Sequence, residues 1–361
     1  MTGGAGFIGR RVVEAYAKSG HEVRVLDALL SDTHRQRVPP PLPDGVEFVL
    51  GDVRDQDSVE AALRGVDLVS HHAAVIGRGR EILDARHHVS CNDLGTANLL
   101  VAMAEAGTRR LVLAGSVAIY GDSRYDCAVH GRVRPGRRSR ADLDAGRFEP
   151  RCPQCGAELV SSAVTETDPL DPPRNIYAVT KLAQEYLVGV WANETGGQAV
   201  SLRYHNVYGP DIPYQSPYSG VAAVFRSAVA RREAPVVYED GGPMRDFVHV
   251  EDVAQASLAA QQWTGTGHRA FNVASGTPHT IGDVAHALAK AAGAPAPVIS
   301  GRYRVGDVRH IVASPDRIIR ELGWRPRIGF EEGMEEFATA PMTGQPACRA
   351  APDAPLDVKP A

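Results

Sequence analysis

Met1-Thr2-Gly3-Gly4-Ala5-Gly6-Phe7-Ile8-Gly9-Arg10 is the stretch whose reading decides the fold. Gly4, Gly6 and Gly9 spell G-x-G-x-x-G, and from Gly3 the same residues spell G-x-x-G-x-x-G. A loop of this kind lets the backbone approach a pyrophosphate and sets that anion at a helix N-terminus. The helix is predicted from Phe7 to about Ser19. Alone, three glycines in ten residues also suit a plain tight turn. The motif belongs after a buried strand, yet only Met1 and Thr2 precede it, so the first strand is expected to be truncated.

Outward from this loop, apolar strand-like runs alternate with helical patterns. Residues 21–27, 46–52, 67–72 and 110–115 read as strands, with helices over 58–64 and 92–106 between them. Such alternation predicts an α/β fold with a parallel sheet covered by helices on both faces. Ligands then sit at the C-terminal ends of the strands. The pattern breaks after Tyr120. Residues 124–160 are rich in Arg, Asp, Gly and Pro, carry three of the five cysteines, and read as an insertion rather than a sheet element. A helix is predicted over 177–195, a strand over 198–204, helices over 220–232 and 281–292, and a short strand over 235–238. Asp252 is expected to cap the helix that follows it. Trp263, Trp324 and Cys91 are expected in the core. Residues 341–361 read as a disordered tail, which includes Cys348.

Composition excludes several classes. The chain has 361 residues and a formal net charge of −4, too mild for a nucleic-acid binder. No apolar run approaches the roughly 20 residues of a membrane span. An odd, sparse set of five cysteines argues against a disulfide framework and for the cytoplasm.

Asp27 ends the second strand about twenty residues past the glycines, where an acid accepts both hydroxyls of an adenosine ribose and repels a 2′-phosphate. NAD is therefore expected rather than NADP, with Arg10 and Arg24 as counter-arguments and a solvated loop acid as the alternative. Gly3, Gly6, Phe7, Ile8 and Gly9 would hold the pyrophosphate. Asp52 and Val53 end the next strand beside the adenine, and the small Ala73 and Ala74 would let the dinucleotide pass. Restoring about five to eight apolar residues ahead of Met1, a normal strand length, is expected to raise thermal stability and NAD retention. Tyr177 and Lys181 are four apart on one helix face. An ammonium and a cationic nicotinamide would lower a phenol pKa from its usual value of about 10. Ser116, just past a strand, could bond the same substrate hydroxyl. His71 and His72 are expected to pack near the cofactor rather than to bind metal.

Together these residues resemble the extended short-chain dehydrogenase/reductase family of nucleotide-sugar epimerases and dehydratases. The resemblance rests on residues 2–9, on His71-His72-Ala73-Ala74, on Ser116 with Tyr120-Gly121, and on Tyr177-Ala178-Val179-Thr180-Lys181. It rests also on Arg203-Tyr204-His205-Asn206-Val207-Tyr208-Gly209-Pro210 and on residues 245–252. It implies a Rossmann-type doubly wound sheet holding NAD over 1–204, with Asn92 among the cofactor-binding residues. It also implies a smaller substrate-binding domain over 205–340, residues 247–275 returning to the first domain, and a homodimer formed through two long helices. Asn206, Arg245 and Arg304 would contact a nucleoside-diphosphate sugar, mainly its diphosphate. The alternatives are a turn cap for Asn206, and an ion pair with Asp246 or Glu251 for Arg245. The 4,6-dehydratases of the family carry an Asp-Glu pair after the strand-end Ser or Thr. Here Val117-Ala118-Ile119 follows Ser116, which disfavours dehydration and leaves 4-epimerisation as the expected reaction. A decarboxylase, a reductase or a non-catalytic NAD-binding scaffold are the alternatives. Residues 217–225 and the cysteine-bearing insertion look like the branch that acts on dTDP-L-rhamnose.

Within the insertion, Cys127-x-x-His130 precedes Cys152-Pro153-Gln154-Cys155-Gly156, with 21 residues between the halves. Three thiolates and an imidazole would close a tetrahedral, structural zinc site. A redox-active or idle cysteine pair is the alternative.

Overall fold

The computed structural model describes residues 1–31, 34, 37–76, 82–122, 124–170, 172–214 and 220–344. The segment 217–219 and the expected tail beyond 344, with Cys348, lie outside the described residues. The glycine loop runs into a helix over Phe7–Lys18, whose apolar face places Val12, Val13 and Tyr16 inward. Parallel strands follow at Arg24–Asp27, Glu47–Leu50, Val69–His71, Arg110–Ser116, Gln198–Tyr204 and Gly267–Val273. Arg24–Asp27 pairs with Glu47–Leu50, and the other four pair in the order Val69, Arg110, Gln198, Gly267. Thr2 joins the two groups. It forms parallel bridges to both Leu26 and His71, and its N–H donates to the Ser70 carbonyl at 3.0 Å. The central slot of the sheet is thus held by Thr2, which is 4 % exposed.

One core lies between this sheet and the helices Gln56–Leu63, Gly95–Ala106 and Ile176–Thr195. On the other face the glycine-loop helix packs against Val250–Ala260. A separate core, with Tyr208, Phe225, Phe247, Leu288 and Phe337, fills the second half of the chain. Burying side chains of this size stabilises by about 1.5–3 kcal/mol each.

Four local expectations are corrected. The insertion does carry a sheet: Arg124–Cys127, Gly131–Val133 and Val160–Ser162 form a three-stranded antiparallel one. Its alternation was hidden by a polar outer face. The helix expected from Asn92 begins as a π-helical turn over Val89–Leu94, becoming α-helical from Gly95. Asp252 lies inside the helix it was expected to cap. The His249 ring accepts from the Glu251 N–H instead, while the Asp252 carboxylate accepts from the N–H groups of Arg327 and Ile328, each at 3.0 Å. Trp324 is buried as expected, whereas Trp263 is only partly covered.

Candidate functional site

The glycine loop is built by close approach. Gly3 has φ +70°, and a Cβ there would lie 2.5 Å from the Ala73 nitrogen. A Cβ on Gly9 would collide with the Gly3 carbonyl oxygen. Gly6 differs: at φ −71° its Cβ would meet only the Gly3 oxygen, at 3.4 Å. The fold does not require a glycine at Gly6, and the space left open there is a cradle that an approaching pyrophosphate can fill. No side chain caps this helix and no acid stands in its first turn. The leading N–H groups at Phe7 and Ile8 therefore meet no capping side chain, the condition under which a helix N-terminus can take an anion.

Asp27 takes one N–H on each oxygen, from Ala5 at 3.0 Å and from Leu29 at 2.9 Å, and keeps lone pairs for ribose hydroxyls. Arg10 pairs with Asp211 and Arg24 with Glu47, so both cations are engaged elsewhere. Asp52 is clamped by Arg54, whose hydrogen bonds hold its carboxyl below the usual range. Val53 packs under Gly95, where a Cβ would meet its Cγ2 at 2.6 Å. The Ala73 N–H donates to Thr2 Oγ1 at 3.2 Å, and Ala74 follows in the same half-buried run. Asn92 is fully buried and occupied. Its Oδ1 accepts from Val75 N at 2.7 Å, and its Nδ2 donates to Val75 O and Thr180 Oγ1. It braces the loop after Ala74 against the Tyr177 helix instead of offering its amide outward. Both ring nitrogens of His71 are engaged, by Thr2 and Thr96, and His72 Nε2 meets Ser70 while its Nδ1 has no partner. Burial, with the Lys181 charge, holds both near a pKa of about 3.

Ser116, Tyr177 and Lys181 come together at the C-terminal end of the sheet. Ser116 ends its strand, and its Oγ accepts from Ala118 N at 3.2 Å. The Tyr177 side chain lies near Ser116, close enough for the serine hydroxyl to act on its phenol. Asn175 caps the Tyr177 helix, accepting from Ala178 N at 2.8 Å. Lys181 Nζ stands 6.0 Å from the Tyr177 ring centre and donates to the Ala114 carbonyl at 2.9 Å. Burial raises the Tyr177 phenol pKa, and the Ser116 hydroxyl opposes that rise. Burial lowers the Lys181 ammonium to about 8, opposed by the charge of Asp93. Burial raises Asp93 to about 6, opposed by Lys181. Behind the site, Arg203 clamps Glu185 through two nitrogens, at 3.1 and 2.5 Å, and reaches the Tyr120 hydroxyl at 2.6 Å. That hydroxyl donates to Asn272 Oδ1 at 2.8 Å. The strand, the Tyr177 helix and the turn after Ser116 are thereby locked together.

On the substrate side, Asn206 opens a short strand, Asn206–Tyr208, parallel to Phe247–His249. Arg245 makes neither of the ion pairs weighed for it. Its guanidinium donates to the carbonyls of Met244, Val308 and Arg309 at 2.7 to 2.9 Å, while Glu251 faces Arg11. Arg304 is exposed and lies 5.0 Å over the Tyr238 ring. Two residues escaped the sequence reading. Asp93 carried no signal, since a polar residue at a helix start is ordinary. His205 lay inside a recognised motif and could have been found there. It is 5 % exposed, and neither ring nitrogen has a hydrogen-bond partner. Burial, with the Arg245 charge, keeps it neutral at about 3.

Cys127, His130, Cys152 and Cys155 gather with all ligand atoms within 4.8 Å of one another. Cys127 Sγ lies 3.7 Å from Cys155 Sγ and 3.7 Å from His130 Nδ1, and Cys152 Sγ lies 3.6 Å from His130 Nδ1. The sulfur separation is far beyond a disulfide bond of about 2.05 Å. Around one zinc, bonds of about 2.3 Å to sulfur and 2.0–2.1 Å to nitrogen give tetrahedral edges of about 3.8 and 3.6 Å. The three separations above match these, and the remaining pairs lie within 4.8 Å. Nearby backbone amides, of His130 and Val129 at Cys127 and of Cys155 and Gln154 at Cys152, favour the thiolate form of both sulfurs.

The sequence profile of the NAD dependent epimerase/dehydratase family matches residues 1–136 and 153–274, and the break falls within the insertion. A dTDP-L-rhamnose 4-epimerase of Burkholderia thailandensis is 34 % identical over 94 % of this chain and 93 % of its own. A UDP-glucose 4-epimerase of Streptomyces lividans is 31 % identical over 90 % of each. Among solved structures, the UDP-glucose 4-epimerase of Thermus thermophilus in complex with NAD superposes with a TM-score of 0.72. It is 33 % identical and covers 93 % of this chain and 96 % of its own.

Proposed function

Because this chain belongs to the NAD dependent epimerase/dehydratase family, we propose that it is an NAD-dependent nucleoside-diphosphate-sugar 4-epimerase. Its substrate is dTDP-L-rhamnose or a related deoxysugar, inverted through a transient 4-keto sugar. Residues 1–204, with 247–275, hold NAD, and most of 205–340 holds the sugar nucleotide. One arrangement carries the reading: Ser116, Tyr177 and Lys181 converge beside the open glycine cradle, and only apolar residues follow Ser116. Bound NAD supplies the acceptor for the C4 hydride and returns it. Tyr177 as phenolate takes the proton of the C4 hydroxyl, while Ser116 holds that oxygen. Lys181 supplies the positive charge that favours the phenolate. Asn206, Arg245 and Arg304 hold the diphosphate, so that the sugar can turn about its linkage. Val117, Ala118 and Ile119, which follow Ser116, bring no acid to work on a C5 proton.

The test is to incubate the purified protein, without added NAD, with dTDP-, UDP- and GDP-sugars and follow the C4 configuration by NMR. Inversion is expected, and Tyr177→Phe should lower turnover by about 10²–10⁴-fold. Release of carbon dioxide, net reduction, or near wild-type turnover by Tyr177→Phe would each overturn the assignment.

Three further features belong to the same reading. A structural zinc ion sits between Cys127, His130, Cys152 and Cys155, since four protein ligands leave no open position. Elemental analysis should find one zinc per chain. The zinc-thiolate cluster, with no disulfide among the described residues, suits a reducing compartment, the cytoplasm. Leu94 and Val101 on one helix, with Val179, Tyr186 and Val190 on its neighbour, expose a shared apolar face. A second copy covers that face in a homodimer. Sedimentation should show a dimer that Tyr186→Glu disrupts.

A further inference from the structure

We propose that the metal-built insertion positions the substrate arm, and that Glu149 is the positioning residue that couples the two. The proposal rests on the zinc site and on Arg245 as a diphosphate contact.

Both cysteine-bearing arms of the insertion reach the adjacent pair Arg309 and His310, and both touch His310. Glu149 lies three positions before Cys152. One of its oxygens accepts from Arg309 Nε at 2.7 Å, and the other lies 2.8 Å from His310 Nε2. Tyr125 lies two positions before Cys127 and is 1 % exposed. Its hydroxyl oxygen accepts from the His310 N–H at 3.3 Å. Arg309 and His310 in turn hold the segment that carries Arg245. The carbonyls of Val308 and Arg309 receive the Arg245 guanidinium at 2.7 and 2.9 Å. His310 Nδ1 accepts from Met244 N at 3.0 Å. Two further ties join the insertion to this loop: Arg138 donates to the Asp307 carbonyl and Tyr303 to Asp144.

The insertion cannot hold this geometry by its own apolar content. One cluster in it is Tyr125, Cys127, Cys152 and Leu159, built around the ligands themselves. The other, Leu143 and Phe148, borrows Tyr303 from the substrate loop. Four metal bonds would supply the missing rigidity. Arg309 also pairs with Glu239 at 2.8 Å and Asp240 at 2.7 Å, so Glu149→Gln leaves it two carboxylate partners.

The test compares wild type, Glu149→Gln, Cys152→Ser and the double variant. For each, zinc content, bound NAD, calorimetric affinity for dTDP and for UDP, and the KM and kcat on dTDP-L-rhamnose are measured. Glu149→Gln should keep zinc, NAD and kcat, yet lose affinity for the preferred nucleotide by about tenfold. Cys152→Ser should lose zinc and show the same loss, and the double variant should be no worse. Losses that add in the double variant would show two independent effects and overturn the coupling. So would dTDP and UDP binding within about twofold of wild type in both single variants. If wild type binds neither nucleotide, the epimerase reading fails and this proposal fails with it. If wild type lacks zinc, the metal part fails, and Glu149→Gln alone decides the rest.

Discussion

Lys181 carries an ammonium into a position that is 4 % exposed, and its pKa falls from 10.5 to about 8. Folding therefore disfavours the charged form. Below pH 8 both folded and unfolded chains are protonated and the cost is constant. Between about 8 and 10.5 the unfolded chain binds more protons, so wild type gains stability as pH rises. Against Lys181→Met, which lacks the titration, wild type should gain up to about 3 kcal/mol across that window. Urea melts from pH 7 to 10 measure it, and a gap between the two proteins that stays flat would contradict the buried ammonium. His205 makes a second case at this scale. A buried polar group without a partner costs about 1–3 kcal/mol, and both its ring nitrogens are in that state. His205→Phe should match or exceed wild type in thermal stability and retain NAD, while KM for the sugar nucleotide rises. An unchanged KM would place His205 outside the sugar pocket.

Among the elements, the glycine-loop helix separates two kinds of glycine. At Gly9 a Cβ would run into the Gly3 backbone, and overpacking of that kind costs about 1–3 kcal/mol. At Gly6 a Cβ fits the apo fold. Gly9→Ala should therefore lower both melting temperature and NAD content, while Gly6→Ala lowers only NAD content. Equal melting losses in the two variants would mean that the open space at Gly6 is not a ligand cradle. The Tyr177 helix depends on the buried Arg203–Glu185 pair, both partners 5 % exposed. Glu185→Gln breaks that pair and should cost about 3–5 kcal/mol, read from denaturant curves, with turnover falling because Ser116 and Tyr177 lose their common brace.

At the scale of the molecule, two large cores carry the fold, and the insertion adds a small body around the Cys127, His130, Cys152 and Cys155 cluster. The sheet core and the second-half core are large clusters of buried aliphatic and aromatic side chains, whereas the insertion has only two small ones. Chelation should therefore leave most far-UV circular dichroism intact. It should open the insertion first, so that limited proteolysis cuts within residues 134–159 before any other site. A chelated protein digested in the wild-type pattern would show that the insertion holds without metal.

Local chemistry was legible without coordinates wherever spacing along one element was enough. The glycine loop, Asp27 at a strand end, Tyr177 and Lys181 one turn apart, and the Cys-x-x-His and Cys-x-x-Cys half-sites are all short-range patterns. So was the parallel α/β alternation, because burial on both faces leaves near-continuous apolar runs. What joined these pieces was long-range. Thr2 as the central rung between Leu26 and His71, the meeting of two half-sites 21 residues apart, and the engagement of Arg245 by carbonyls more than sixty residues on depend on chain path. The same holds for Asn92, whose amide is held by Val75 and Thr180 from two other segments. Hydrogen-bond partners in a buried site are assigned by which strands and loops come to lie side by side, and no spacing rule within one element encodes that.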